Sequence, residues 1–207
     1  MDSNERSTIT LEDGGSILWD PTFLTKEESS KLFKHLQSVC KWETSVYPTP
    51  EGGNKQTIEI PRAQSWMADD GISNKEASLF QKQAPLKWSP EMTIVRKKVE
   101  ALLNEKFDFV LINLYRDGKD NVGFHYDETH RLPGKTTVPS ISIGATRTFI
   151  IRSIERKDEV PDREFKLVDG SLVVMLGKMQ HYYYHSIPLE EHIKEPRINL
   201  TFRGLDR

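Results

Sequence analysis

A β-sandwich or barrel with helices packed on its outside is the fold class this chain predicts, and three observations carry the prediction. From Phe107 onward the sequence breaks into short β-branched or aromatic-rich runs: "FDFVLINLYR", "VGFHYDE", "VPSISIGATRTFIIRSI", "REFKLV", "GSLVVML", "HYYYHSI" and "RINLTFR". Gly, Pro, Asp and Lys punctuate these runs at the spacing of a many-stranded sheet. Ahead of them lie two amphipathic stretches with helical periodicity. The length, 207 residues, suits one domain.

The elements follow in order. Residues 1–15, within "MDSNERSTITLEDGGS", read as a loose arm because they are polar and acidic. In "LTKEESSKLFKHLQSVC", Thr25 and Glu28 have the spacing of a capping box. Leu32, Phe33, Leu36, Val39 and Cys40 then recur on one helical face. "YPTPEGGNK" is turn chemistry, and "QTIEIPRAQSWMA" alternates as an extended segment that Pro61 places at an edge or interruption. A second helix is signalled by "WSPEMTIVRKKVEALL". Ser89 is its cap, Pro90 its first residue, and Met92, Val95, Val99 and Leu102 share its apolar face. No internal repeat or low-complexity tract is present. The expected organisation is a single domain over 16–207, with helical support and a covering segment over 16–105 and the β-rich core over 106–207.

Composition excludes several classes. The 29 basic and 31 acidic residues nearly balance, so a nucleic-acid contact would need a local patch. Candidates are "RKK" (Arg96–Lys98), "HRLPGK" (His130–Lys135) and "RSIERK". A single cysteine, Cys40, excludes a disulfide framework and a cysteine-rich zinc module. It suits a reducing compartment, so a soluble protein of the nucleus or cytoplasm is expected. No apolar run approaches the roughly 20 residues of a membrane span, and no apolar leader region opens the chain. A dinucleotide-binding glycine fingerprint and a phosphate-binding P-loop are both missing.

The chemistry begins at "NVGFHYDETH". In an extended segment side chains alternate, so His125 and Asp127 point to one side and Tyr126 to the other. An imidazole and a carboxylate converging on one spot suit a metal, and two histidines with one carboxylate are the iron(II) set of oxygenases. The third ligand is His181 or His185, an even interval apart in "HYYYHSI", and periodicity does not choose between them. Near the C-terminus, Arg197, Asn199, Thr201 and Arg203 share one face while Ile198, Leu200 and Phe202 take the other. Two guanidinium groups on a buried face require an anion, and a dicarboxylate offers each a bidentate partner. Asn113 and Tyr115 in "LINLYR" form a similar polar pair. Arg147 and Asp169 read as scaffold residues, and Gly144, Gly170 and Gly177 as turn positions.

With these motifs in place the sequence resembles the AlkB family of Fe(II)- and 2-oxoglutarate-dependent dioxygenases, most of all its eukaryotic nucleic-acid-repair members. The resemblance runs from about Pro61 to Arg203 and rests on "INLYRDGKD", "FHYDE", "SISIGATRTF", "DGSLVVM", "YYHSIP" and "PRINLTFR" in that order. It implies a double-stranded β-helix, or jelly roll, with iron(II) held by His125, Asp127 and His185. It implies 2-oxoglutarate gripped by Arg197 and Arg203 with help from Asn113, Tyr115, Asn199 and Thr201, and O2 as the second co-substrate. The implied reaction removes methyl groups from N-alkylated bases of the 1-methyladenine and 3-methylcytosine type in DNA or RNA. Decarboxylation of 2-oxoglutarate accompanies it, and formaldehyde, succinate and CO2 are released by a monomer acting away from membranes. Glu128, Arg62 and Trp66 would lie on the substrate side, Trp66 as a surface for base stacking. Tyr47, in "SVYPTP", is the candidate wedge for a duplex. Two other readings share much of this pattern: the same chemistry on a protein or small molecule, and a non-catalytic nucleic-acid-binding module.

Overall fold

The computed structural model describes residues 5–48, 57–75, 77, 83–127 and 136–205. Among the described residues thirteen strands and three helices follow one another: β1 (Ser7–Thr10), β2 (Gly15–Asp20), α1 (Lys26–Val39), β3 (Val46–Pro48), β4 (Thr57–Glu59), β5 (Ala63–Ala68), α2 (Pro90–Leu103) and β6 (Phe109–Tyr115). After these come β7 (Val122–His125), β8 (Val138–Gly144), β9 (Arg147–Ser153), β10 (Arg163–Leu167), β11 (Ser171–Gly177), α3 (Met179–Tyr182), β12 (Tyr183–Ile187) and β13 (Arg197–Arg203).

Seven strands form one sheet in the order β1-β2-β11-β8-β13-β6-β5, and four form another in the order β10-β9-β12-β7. A separate pair joins β3 to β4. The pairings between named strands are all antiparallel. Period-2 alternation divides the large sheet's residues between two apolar clusters. Ile198, Leu200 and Phe202 of β13 join Ile141, Ile143, Leu172 and Val174 on the outer face, where Leu32 and Leu36 of α1 and Met92, Val95 and Val99 of α2 cover them. On the inner face Ile17, Trp19, Val173 and Met175 meet Phe149, Ile151, Phe165, Leu167, Tyr183 and Ile187 of the small sheet. This is the predicted jelly roll, two sheets face to face with helices outside.

Helices α1 and α2 begin where their caps place them. The Thr25 hydroxyl accepts from the Glu28 amide at 3.2 Å, and the Glu28 carboxylate accepts from the Thr25 amide at 2.8 Å. Ser89 caps α2 through the Met92 amide at 3.3 Å, and Asn104 ends it in the left-handed region at φ 52°. The expected stripe on α1 narrows, because Leu32, Leu36 and Cys40 are buried whereas Val39 is 38% exposed.

Three expectations are corrected here. Residues 7–10, expected within a loose arm, form β1 against the open edge of β2; a β-branched "STIT" run suits an edge strand. The division near residue 105 is not a structural boundary, since β2 and β5 belong to the same sheet as β6, β8, β11 and β13. "HYYYHSI" is not one strand, for His181 lies on the single turn of α3 and the strand starts at Tyr183.

Because Leu200 is fully buried between β13 and the helices, Leu200→Ala is expected to lower the unfolding free energy by about 2–5 kcal/mol. Thr25→Ala, which removes only the cap, should cost about 1 kcal/mol. Urea denaturation of the two variants checks the ordering.

Candidate metal centre and cofactor cleft

The two sheets differ in what they contribute. The small sheet carries the candidate metal ligands. Antiparallel pairing sets His185 of β12 directly opposite His125 of β7, with a bulge in the register before the Ile187–Val122 pair. Their rings lie 4.2 Å apart, centroid to centroid. Asp127 stands two residues past His125, and its Oδ2 is 3.7 Å from His185 Nε2. One ligand atom from each of the three residues falls within 4.8 Å of the others.

The protonation states favour a cation. His125 Nδ1 lies 2.9 Å from the Gly123 carbonyl; a carbonyl only accepts, so the ring proton sits on Nδ1 and Nε2 keeps its lone pair. Burial lowers the His125 pKa and opposes a charge on that ring. Burial, reinforced by His125, pushes His185 down to about 3. Asp127 behaves oppositely. Its burial favours the neutral acid, but Arg203 beside it, with help from the two histidines, holds the carboxyl far below the usual range. Arg203 Nη2 donates to Asp127 Oδ1 at 2.7 Å, and the Asp127 amide donates to Gln180 Oε1 at 2.8 Å. Two neutral imidazoles and one carboxylate on one side of a cleft fit iron(II) of the two-histidine, one-carboxylate type.

The large sheet supplies the facing wall. Register pairs Arg197 with Tyr115 and Asn199 with Asn113. Arg197 is 1% exposed, and its Nη2 donates to Ser142 Oγ at 2.8 Å. Its Nε and Nη1 are buried with no hydrogen-bond partner among the described residues. The guanidinium lies 5.0 Å from the Tyr115 ring. Burial pushes its pKa down to about 10, with Tyr115 opposing the shift, so it stays cationic at neutral pH. A buried cation with two idle donors is costly unless an anion arrives. Arg147 supplies the contrast. It also faces Tyr115, at 5.6 Å, yet it is satisfied by Glu190 and by the carbonyls of Asp117, Asp120 and Pro188. A carboxylate end of 2-oxoglutarate fits Arg197 and not Arg147.

Between these groups runs a directed amide chain. Asn113 Oδ1 accepts from Arg62 Nε and Gln64 Nε2, at 3.1 and 2.8 Å. Arg62 can only donate, so the Asn113 amide nitrogen must face Asn199 Oδ1, at 3.2 Å. Asn199 Oδ1 also accepts from Thr201, and its nitrogen donates to Ser140 Oγ and the Ile141 carbonyl. Asn199 thus has both donors and both acceptor positions engaged, and it stiffens the wall around Arg197. The candidate ligands, Arg62, Asn113, Tyr115, Arg197, Asn199, Thr201 and Arg203 all line one cleft of about 130 Å³ that opens to solvent.

The remaining sequence candidates sort clearly. Among the two histidines left open by periodicity, His185 is in the cleft and His181 is exposed on α3. Trp66 corrects an expectation. It is 2% exposed, stands edge-on to Phe109 and donates to the Gln83 carbonyl, so β5 packs it into a satellite core where no base can reach it. Tyr47 pairs with Ile58 in the β3–β4 hairpin backbone, and Glu128 lies outside the described residues. "RKK" ties elements together, with Arg96 bonded to Asp69 and Glu100 and Lys98 to Glu28. In "RSIERK", Arg152 pairs with Asp162 and Arg156 with Glu12 and Asp13; "HRLPGK" lies outside the described residues. Sequence reasoning missed Ser140, Ser142, Gln64 and Gln180. The two serines were legible, since "SISIG" alternates them on one face of a strand.

Comparison with known proteins accords with this geometry. Residues 16–203 match the 2OG-Fe(II) oxygenase superfamily. The DNA oxidative demethylase ALKBH2 of Mus musculus is 32% identical over 185 residues, covering 87% of this chain and 76% of that protein. The alpha-ketoglutarate-dependent dioxygenase alkB homolog 3 of Mus musculus is 35% identical over 191 residues, covering 88% of this chain and 64% of that protein. The chain spans 66% of bovine ALKBH2 and 70% of the human protein. Among solved structures OsALKBH1 superposes with a TM-score of 0.63 over 91% of this chain and 97% of that one, at 16% identity, a likeness of fold. The chain belongs to the 2OG-Fe(II) oxygenase superfamily, and within it to the AlkB family of Fe(II)- and 2-oxoglutarate-dependent dioxygenases.

Two outcomes follow for the purified enzyme. The fold holds His185 neutral down to about 3 against an ordinary 6.5, so below 6.5 the unfolded chain binds more protons. Stability present above that pH is therefore lost as pH falls toward 3. The urea midpoint of the metal-free protein should drop from about pH 7 to about pH 5 and do so less steeply in His185→Gln. Arg197→Ala should raise the 2-oxoglutarate requirement roughly 30-fold or more, as for loss of a buried charge pair worth about 2–5 kcal/mol. Its affinity for Co(II), measured by titration, should be unchanged.

Proposed function

We propose that this chain oxidatively demethylates N-alkylated bases of the 1-methyladenine and 3-methylcytosine type in nucleic acid. The observation that carries the reading is the meeting, in one cleft, of a metal-binding triad and a buried arginine with idle donors. The similarity to enzymes named DNA oxidative demethylases supports nucleic acid as the substrate class.

In this reading His125, Asp127 and His185 hold iron(II), and Arg197 takes the distal carboxylate of 2-oxoglutarate. When bound, these groups supply the oxidant: one oxygen atom of O2 ends in succinate as CO2 leaves, and the other in the N-methyl group. Arg203 keeps Asp127 ionised and aimed at the histidines. The Asn113–Asn199–Ser140 chain holds the wall rigid, so that the acid and the metal keep their separation through turnover. Arg62 anchors that chain and lines the open cleft, where its guanidinium can meet a base or phosphate. Glu128, next to Asp127 in sequence, and Tyr47 are assigned here as substrate contacts, Tyr47 as the duplex wedge. The hydroxymethyl product releases formaldehyde and a proton, and the ring nitrogen of the base regains its lone pair.

The test offers 1-methyladenine and 3-methylcytosine oligonucleotides, single-stranded and paired, alongside a methyl-lysine peptide. Formaldehyde and succinate should appear in equal amounts with the oligonucleotides only. Turnover of the peptide alone would overturn the substrate class. Succinate formation indifferent to every methylated substrate would overturn demethylation itself.

A further inference from the structure

The three metal-binding side chains are not held alike. His125 and His185 sit within paired strands, where the ladder between β7 and β12 fixes their backbones. Asp127 lies past the end of β7, outside any strand. A carboxylate on unpaired backbone keeps a metal-binding direction only if something holds that backbone. Arg203 restrains its side chain. The backbone restraint comes from Gln180, whose Oε1 accepts from the Asp127 amide at 2.8 Å.

Gln180 is itself well fixed. It is 5% exposed and lies on the single turn α3 between β11 and β12. Its Nε2 donates to the Met175 sulfur at 3.3 Å. An amide N–H can only donate, so the carboxamide oxygen must face Asp127 and the nitrogen must face the thioether. The turn is pressed onto β2 at Gly15, where an added Cβ would lie 2.8 Å from the Met179 Cα. Met179 is buried in the inner core beside Met175. Core packing therefore runs through α3 and Gln180 to the backbone of one ligand.

We propose that Gln180 is a positioning residue for the metal: by holding the Asp127 amide it aims the carboxylate at His125 and His185. This inference rests on the metal-binding reading of the triad, and it assigns a role to a residue that touches no reactant.

The experiment uses the full chain and Co(II) as the probe metal. Gln180→Leu removes the acceptor at nearly constant volume, and Gln180→Glu keeps it. Gln180→Leu should bind Co(II) about 10- to 100-fold more weakly, as for loss of a residue that orients a ligand. Gln180→Glu should stay within a few-fold of the parent, and so should His181→Ala on the exposed side of the same turn. Amide hydrogen exchange at Asp127, measured on the metal-free protein, gives the second readout. That amide should be protected in the parent and in Gln180→Glu, and should exchange freely in Gln180→Leu. A role confined to folding would lower the melting temperature of Gln180→Leu and leave its Co(II) affinity intact, which would overturn the proposal. An unprotected Asp127 amide in the parent would overturn it even if Gln180→Leu fails to fold. A parent that binds no Co(II) would instead refute the metal reading itself.

Discussion

The pairing of β12 with β7 is the constraint on which the site depends. It places His185 opposite His125 across one ladder position, and a bulge follows before the strands pair again. Cross-strand neighbours on the same face are held a few ångströms apart by the sheet itself, so two candidate ligands meet without any local motif joining them. The chain between them, from β8 to α3, must then fold into the rest of the sandwich for the pair to exist at all. Folding and assembly of the centre are the same event.

Three guanidinium groups, Arg147 and Arg197 buried and Arg203 half-buried, show how the surrounding protein handles charge. Arg147 is neutralised in place by Glu190 and three carbonyls, which fastens the loops around 117–120 and 188–190 to the small sheet. Arg203 is matched by Asp127, so that a ligand carboxylate stays ionised in a dry setting. Arg197 keeps two buried donors without a partner among the described residues. Uncompensated burial of that kind costs stability in the empty protein. It is explained if the missing partner is an incoming carboxylate, and the hydroxyl of Ser142 only steadies the guanidinium meanwhile.

Much of this could be read along the chain. The alternation in "RINLTFR" separates a polar cleft face from an apolar face beneath the helices, and the ladder obeys it residue by residue. The starts of α1 and α2 follow from caps encoded within four residues. Where the reading failed, distant packing had overruled a local pattern. "HYYYHSI" has strand composition, yet its first two residues are wound into α3 against β2, and that turn hides His181 from the site while bringing Gln180 to it. The family resemblance implied that Trp66 lies on the substrate side, but Phe109 and the Gln83 carbonyl enclose it. In the basic run Arg96–Lys98, Arg96 and Lys98 are taken up by acids from three separate segments.

The sequence by itself determined which side chains share a face, because the two-residue period of a strand is a property of the backbone and needs no partner. It also determined the set of candidate ligands and the pair of arginines, since those residue types are costly to bury without a purpose. Tertiary structure decided which histidine completes the triad, which arginine is left with donors to offer, and what holds Asp127 still. Those outcomes depend on contacts between residues far apart in the chain. Such contacts arise only when the two sheets close on each other, and no local spacing encodes them.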